Sequence, residues 1–365
     1  MSITATKRKK DGLTQYRVRV PIKMEDGSFK YKERSVYGLQ AAKDAERELR
    51  AAPVESDSTL NDLVALYMES RKGQVRLISD VKVNSHLNTH IIPPLGNVKL
   101  SALTPARLQK WKNEMSAKPI SVVTKNNVYA TFTALLNFGV KMDALQKNNL
   151  KTLGPFKDLE FSETKRFRYY TAEQFKTYIA AMPKSTLEER GVYVFFMTAF
   201  YTGARKGEIN ALKWTDIDGS TLHIRRSVSQ RVTGIACVET PPKNKSSYRD
   251  IQIPKPLLDC LAEHHAFCAQ FKGFSDNWRV CGGPDIIFDH RLNRENIKCA
   301  KRAGLPHISI HEFRHSHATL LINAGVNIKE ISRRLGHATV EMTWNVYSHL
   351  YPDQEQKAIE ILNAL

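Results

Sequence analysis

The spacing of apolar residues changes character twice along these 365 residues, and one core cannot satisfy all three patterns. Up to about residue 52, Tyr16-Arg17-Val18-Arg19-Val20 and Phe29-Lys30-Tyr31-Lys32-Glu33-Arg34-Ser35-Val36 alternate with the period of a strand. Glu25-Asp26-Gly27-Ser28 between them reads as a hairpin turn, and a helix is expected from Gln40 to Ala51, stopped by Pro53. After a linker at 53–57 the period becomes helical: Leu60, Leu63, Val64 and Tyr67 fall on one face, with Ser58 or Thr59 as cap. Pro93-Pro94-Leu95-Gly96 breaks the next helix, Thr104-Pro105 opens another, and Ser121 to Val140 forms a fourth, taking this pattern to about Leu150.

Lys151 to Arg168 is charged and aperiodic, and the rest is mixed. Helices are expected at 171–182, 188–202, 255–271, 292–303, 309–324, 327–335 and 353–364, and strands at 221–228, 235–240 and 248–253. The fold class is multidomain, mainly α with small β-sheets: a small sheet plus helix over 1–52, a helical domain over 58–150, and a mixed α+β domain over 169–365.

Charge narrows the partners. Lys plus Arg number 55 against 37 for Asp plus Glu, a net +18, which attracts a polyanion, with DNA or RNA first. Residues 1–52 alone hold 13 basic against 7 acidic side chains, and Arg17, Arg19, Lys30, Lys32 and Arg34 fall within the two strands. One basic face with Tyr and Phe interleaved is therefore expected there, suited to DNA contact by a β-ribbon. The cysteines are five and form no C-x-x-C pair, so neither a disulfide framework nor a cysteine zinc site is indicated. No apolar run approaches the ~18 residues of a membrane span. Lys7-Arg8-Lys9-Lys10 has no hydrophobic stretch behind it, so a cytoplasmic protein, without membrane contact, is expected.

Five stretches of the last segment carry candidate chemistry. Thr202-Gly203-Ala204-Arg205-Lys206-Gly207-Glu208 follows an apolar helix, and its glycines allow a sharp turn that sets Arg205 at a helix start, where an anion is welcome. Pro241-Pro242-Lys243-Asn244-Lys245-Ser246-Ser247-Tyr248-Arg249-Asp250-Ile251 is a basic turn entering a strand. His311-Glu312-Phe313-Arg314-His315 reads two ways: as H-E-x-x-H, a zinc-peptidase helix, or as His-x-x-Arg, an imidazole and a guanidinium three residues apart facing a phosphate. Leu335-Gly336-His337 is a helix stop presenting a histidine, and Tyr347 stands ten residues later in Trp344-Asn345-Val346-Tyr347-Ser348-His349. Alone, each has an innocent structural reading.

Together, in order and spacing, these runs resemble the signature of the tyrosine recombinases, also called the phage integrase family. The resemblance covers most of 169–350; the helical segment is similar to that family's core-site binding domain, and residues 1–52 to the arm-site domain of many integrases. The resemblance implies a site-specific DNA recombinase of a phage or integrative mobile element, which joins DNA through a 3′-phosphotyrosine. Tyr347 is the implied nucleophile; Tyr351, four residues on, abuts Pro352 and is expected at or beyond the helix end. Arg205 and Arg314 hold the non-bridging oxygens, each contact worth ~2–4 kcal/mol in the transition state. Lys243 protonates the leaving 5′-oxygen, with Lys245 as a competitor. His311 assists proton transfer with Tyr347, His337 donates to a phosphate oxygen, and Glu208 orients the site. Phe313 stands where the family often has Leu, at a core-facing position where repacking is expected.

No metal or other cofactor is implied, since two arginines, two histidines and a lysine supply the charge and proton handling. The implied partners are double-stranded attachment sites of core and arm type, a homotetramer on DNA, and accessory proteins such as an excisionase and a host DNA-bending protein. The helix expected from Asp353 to Ala364 docks either on a neighbour or on its own domain. The alternatives are a resolvase-type tyrosine recombinase, which usually lacks a basic arm-binding segment, and a zinc peptidase using His311, Glu312 and His315.

Overall fold

The computed structural model describes residues 3–10, 12–23, 29–51, 58–75, 77–158, 168–230, 237–241, 247–348, 359 and 362–363. The Glu25–Ser28 turn, the 53–57 linker, Lys243, Lys245, Tyr351 and most of the expected C-terminal helix lie outside the described residues. The chain divides into two compact units, Met1–Ser162 and Glu163–Leu365.

The first unit buries two separate apolar clusters. The smaller lies between an antiparallel sheet, β1 (Ile3–Lys10), β2 (Leu13–Lys23) and β3 (Phe29–Tyr37), and helix α1 (Leu39–Ala51). Val18 and Val20 of β2 meet Ala42 and Ala45 of α1 there. Because side chains alternate along a strand, Arg17 and Arg19 point to the other face and are exposed.

The register corrects the expectation of one basic face. Cross-strand partners share a face. Arg17 pairs with Ser35 and Arg19 with Glu33, whereas Arg34 pairs with Val18, Lys32 with Val20 and Lys30 with Ile22. The five basic positions are thus split between the two parities of the sheet. Alternation within each run was legible, but the relative register of two runs depends on the turn, and one residue of slip exchanges the faces. On the open face Arg19 is also partly neutralised: its Nε lies 2.9 Å from Glu33 Oε1, and its guanidinium stacks 3.9 Å over the Tyr31 ring.

The second cluster is all helical: α2 (Leu60–Arg71), α3 (Leu77–His86), α4 (Ile92–Leu95), α5 (Pro105–Ala117) and α6 (Val122–Lys141). Thr59 is the cap of α2, in a reciprocal box with Asp62, and Leu60, Leu63 and Tyr67 are buried as their spacing requires. Between α3 and α4 the chain widens into one π-turn, Leu87–Ile91. The His90 carbonyl in that turn accepts the indole N–H of buried Trp111 at 2.9 Å.

The second unit is built around α8 (Leu187–Thr202), ten of whose residues are buried. Around it lie α7 (Ala172–Ala180), α10 (Lys255–Cys268), α11 (Asp289–Arg302) and α12 (Ile310–Asn323). Phe313 of α12 is fully buried, edge-on to Tyr170 at 5.7 Å, so the larger ring is accommodated by aromatic packing. Strands β4 (Ile217–Asp218), β5 (Thr221–Ile224) and β8 (Arg249–Gln252) form one antiparallel sheet. The strand expected at 221–228 is instead two: after Ile224 the chain leaves that sheet, and β6 (Ser227–Ser229) pairs with β7 (Val238–Thr240) as a ribbon. Three short helices, α9 (Lys206–Ala211), α13 (Ile328–Leu335) and α14 (Val340–Tyr347), complete the unit.

Candidate active site

Arg205 is placed by the end of one helix and the start of another. Gly203 caps α8 in the left-handed conformation at φ 63°, and a Cβ there would meet the His317 ring at 2.7 Å, so glycine alone fits the turn. Arg205 then stands at the N-cap of α9. Its backbone N–H and its guanidinium both donate to Glu208, each at 2.9 Å, and its other terminal nitrogen donates to the Gly336 carbonyl at 3.1 Å. About a third of the side chain stays exposed, so the group is fixed yet reachable.

Arg314, on α12, is buried beside it. Its two terminal nitrogens donate to the Gly203 and Leu335 carbonyls, both at 2.7 Å. These carbonyls belong to the ends of α8 and α13, where backbone acceptors lack helical partners. Burial, then the neighbouring guanidiniums of Arg205 and Arg249, lower the Arg314 pKa to about 9. Buried cations crowded in this way favour an incoming anion.

Arg249 is the residue sequence reasoning missed. It is buried on β8, donating from Nε to the Arg334 carbonyl at 2.7 Å, from one terminal nitrogen to the Ser247 carbonyl at 3.2 Å, and from the other to Glu208 at 2.8 Å. Glu208 is likewise buried; burial raises its pKa, but Arg249 and Arg205 outweigh this and hold it below the usual carboxylate range. Gly336, left-handed at φ 67°, leaves room for Arg249, whose guanidinium lies 2.9 Å from where a Cβ would stand. Arg249 therefore ties together the Arg205–Glu208 turn, the end of α13 and the chain entering β8. A signal existed: Arg249 shares the inward parity of Ile251 and Ile253 in an otherwise apolar alternation.

Three histidines approach this cluster. His311 and His315 stand one turn apart on α12, with their rings edge to face at 5.0 Å. His337 follows Gly336, and its Nδ1 is 2.8 Å from the Thr343 hydroxyl of α14. Burial, then nearby guanidiniums, push the His337 pKa down to about 4. Burial, then His311, does the same to His315, and burial with Arg314 and Arg205 lowers His311. His315 and His337, both pushed down to about 4, are neutral near pH 7.

Tyr347 ends α14 with its ring buried among Ala318, Ile322, Ile331 and Leu335. Its hydroxyl lies 2.7 Å from His315 Nδ1. The imidazole in contact with the tyrosine is thus His315, one turn along the helix face from His311, the expected partner in proton transfer. Burial raises the Tyr347 pKa to about 12, with Arg314 opposing the rise.

The zinc-peptidase alternative loses its base in this geometry. Both Glu312 carboxylate oxygens accept backbone N–H groups, from Ser309 at 2.5 Å and Arg168 at 3.1 Å, in a helix cap. Among the described residues, no three His, Cys, Asp or Glu side chains come together as a metal site.

The chain matches the phage integrase family over residues 275–354 and the N-terminal SAM-like domain of phage integrases over 59–116. A XerC-like tyrosine recombinase of Caldanaerobacter subterraneus subsp. tengcongensis is 29% identical, over 98% of this chain and 97% of its own. The ICEBs1 integrase of Bacillus subtilis is 29% identical over 76% of each chain. Among solved structures, the Tn1549 transposon integrase in complex with transposon right-end DNA covers 84% of this chain at 21% identity, with a TM-score of 0.66. A lambda integrase dimer bound to a core site covers 97% at 16% identity, with a TM-score of 0.58. The fold is that of these integrases, and the two relatives are named a tyrosine recombinase and an integrase. Both family models and these relatives support a tyrosine recombinase of the phage integrase family.

Proposed function

We propose that this chain is the integrase of a phage or an integrative mobile element, cleaving and rejoining double-stranded DNA at attachment sites through Tyr347. The observation that carries this reading is the assembly of Arg205, Arg314, His311, His337 and Tyr347 from four separate stretches of sequence around one cationic cluster. A polyanionic backbone is the natural ligand of such a cluster on a chain of net charge +18.

In the reaction, the Tyr347 oxygen attacks phosphorus and its proton passes to a histidine, with His315 in contact and His311 beside it. Charge develops on the non-bridging oxygens, where Arg205, Arg314 and His337 donate. The bond from phosphorus to the 5′-oxygen breaks, and that oxygen takes a proton, the role the family resemblance gives Lys243. The product is a 3′-phosphotyrosine with a free 5′-hydroxyl. Attack by the 5′-hydroxyl of a second strand reverses these steps without external energy.

Residues 58–150 are read as the core-site binding domain, 169–365 as the catalytic domain and 1–52 as the arm-site domain. The +6 balance of residues 1–52 favours an integrase over a resolvase-type enzyme. The register leaves Arg17 and Arg19 on the exposed face as the better-supported arm contacts. The working assembly is a homotetramer on two duplexes in the bacterial cytoplasm, with an excisionase and a host DNA-bending protein as candidate accessories. Purified protein incubated with its element's junction DNA, in EDTA and without nucleotide, should yield recombinant product. Activity lost in EDTA and restored by zinc would overturn the reading.

A further inference from the structure

Helix α14 buries two side chains against its unit. Of Val340–Tyr347 only Thr343 and Tyr347 are buried, one turn apart on one face; the other six are exposed. Each of the two ends on a histidine of the site: the Thr343 hydroxyl on His337 Nδ1 at 2.8 Å, and the Tyr347 hydroxyl on His315 Nδ1 at 2.7 Å.

We infer that Thr343 is a positioning residue whose hydroxyl, by donating to His337 Nδ1, fixes that imidazole in the tautomer with its proton on Nε2. A neutral imidazole accepts at one nitrogen and donates from the other, and the partner of the first decides which is which. Burial and three nearby guanidiniums keep His337 neutral, so its tautomer is what matters. Among the described residues the Thr343 hydroxyl makes no other hydrogen bond. With Nδ1 so engaged, Nε2–H is the donor left for a phosphate oxygen. His337 thus becomes a competent phosphate ligand when α14 is docked, which is when Tyr347 is in place. Nucleophile helix and phosphate donor are completed together.

This inference rests on the proposed role of His337 and is tested on a separate observable. In uniformly ¹⁵N-labelled, DNA-free protein, the His337 ring, assigned by comparison with His337→Asn, should show a protonated Nε2 and an unprotonated Nδ1. Thr343→Val, which keeps shape and loses the hydroxyl, should shift the ring to a tautomer mixture. It should also slow covalent-complex formation on a nicked core site by ~10–100-fold, the range seen when a metal-bound histidine loses its orienting partner. Thr343→Ser should restore both the spectrum and the rate. An unchanged His337 spectrum or a wild-type rate in Thr343→Val would overturn the inference. So would a Thr343→Ser protein as slow as Thr343→Val, since packing would then explain the loss. A covalent complex formed by Tyr347→Phe would defeat the nucleophile assignment instead, and the His337 spectrum does not depend on that outcome.

Discussion

Arg249→Met removes three hydrogen bonds, one of them an ion pair, at a stroke while keeping most of the volume. Both members of the Arg249–Glu208 pair are 3% exposed, so solvent cannot stand in for the lost guanidinium. Breaking a buried pair from one side costs about 3–5 kcal/mol, because the remaining charge stays buried. Arg205 still reaches Glu208 at 2.9 Å, which places the expected loss toward the lower end. For a unit of about 200 residues, that loss corresponds to a Tm lowered by ~6–20 °C. Calorimetry on the intact chain should show the transition of the Glu163–Leu365 unit moving by this amount. Adding Glu208→Gln should recover part of it, since the stranded carboxylate is gone. Arg249→Lys should not rescue, because an ammonium cannot span acceptors on three elements. An Arg249→Met protein within 1 kcal/mol of the parent, or one made worse by Glu208→Gln, would refute the keystone role.

Three further outcomes are expected. Buried His317, pushed down to about 3, and His264, His315 and His337, each to about 4, are neutral in the folded state. The unfolded chain binds their protons below about pH 6.5, so stability should fall as pH drops from 6.5 toward 4, by up to about 1.4 kcal/mol per pH unit per histidine. Urea titrations showing flat stability across that window would contradict the burial. His315→Phe should slow covalent-complex formation by ~100-fold or more with DNA binding intact, if the 2.7 Å contact is the path of the tyrosine proton; an unchanged rate would make it a contact of the DNA-free protein only. Deleting residues 1–52 should abolish binding to arm sites and spare core-site cleavage, and equal loss at both would rule out a separable arm domain. Band-shift assays read the arm-site binding and a nicked core-site substrate reads the cleavage, and binding by the intact chain should weaken steeply with salt.

Much of the fold was legible because local rules decided it. Expected helix 188–202 is Leu187–Thr202 with its Thr186 cap, and 309–324 is Ile310–Asn323 with its Ser309 cap. Apolar spacing suffices there, and the caps are what the structure adds. Helix α14 escaped, because only two of its eight residues face the core and no amphipathic stripe marks it. Arginines 205 and 314 were legible as a motif, and the structure supplies what the motif could not: that backbone carbonyls at helix ends hold both guanidiniums. Sequence spacing also could not choose between His311 and His315. They lie on one helix face, and only the docking of Tyr347 from a distant segment separates them. The basic strands failed for a related reason, since register is a relation between segments and not a property of either.

The central claim is that Tyr347 carries the DNA. A nicked core-site duplex that traps the covalent complex should give a denaturant-resistant adduct. Digestion and mass spectrometry of that adduct should find the nucleotide remnant on the peptide containing Tyr347, joined through a 3′-phosphate. Tyr347→Phe should bind the same DNA with unchanged affinity and give no adduct, while Tyr351→Phe should still give one. A remnant on Tyr351 or any other residue, or an adduct from the Tyr347→Phe protein, would contradict the account.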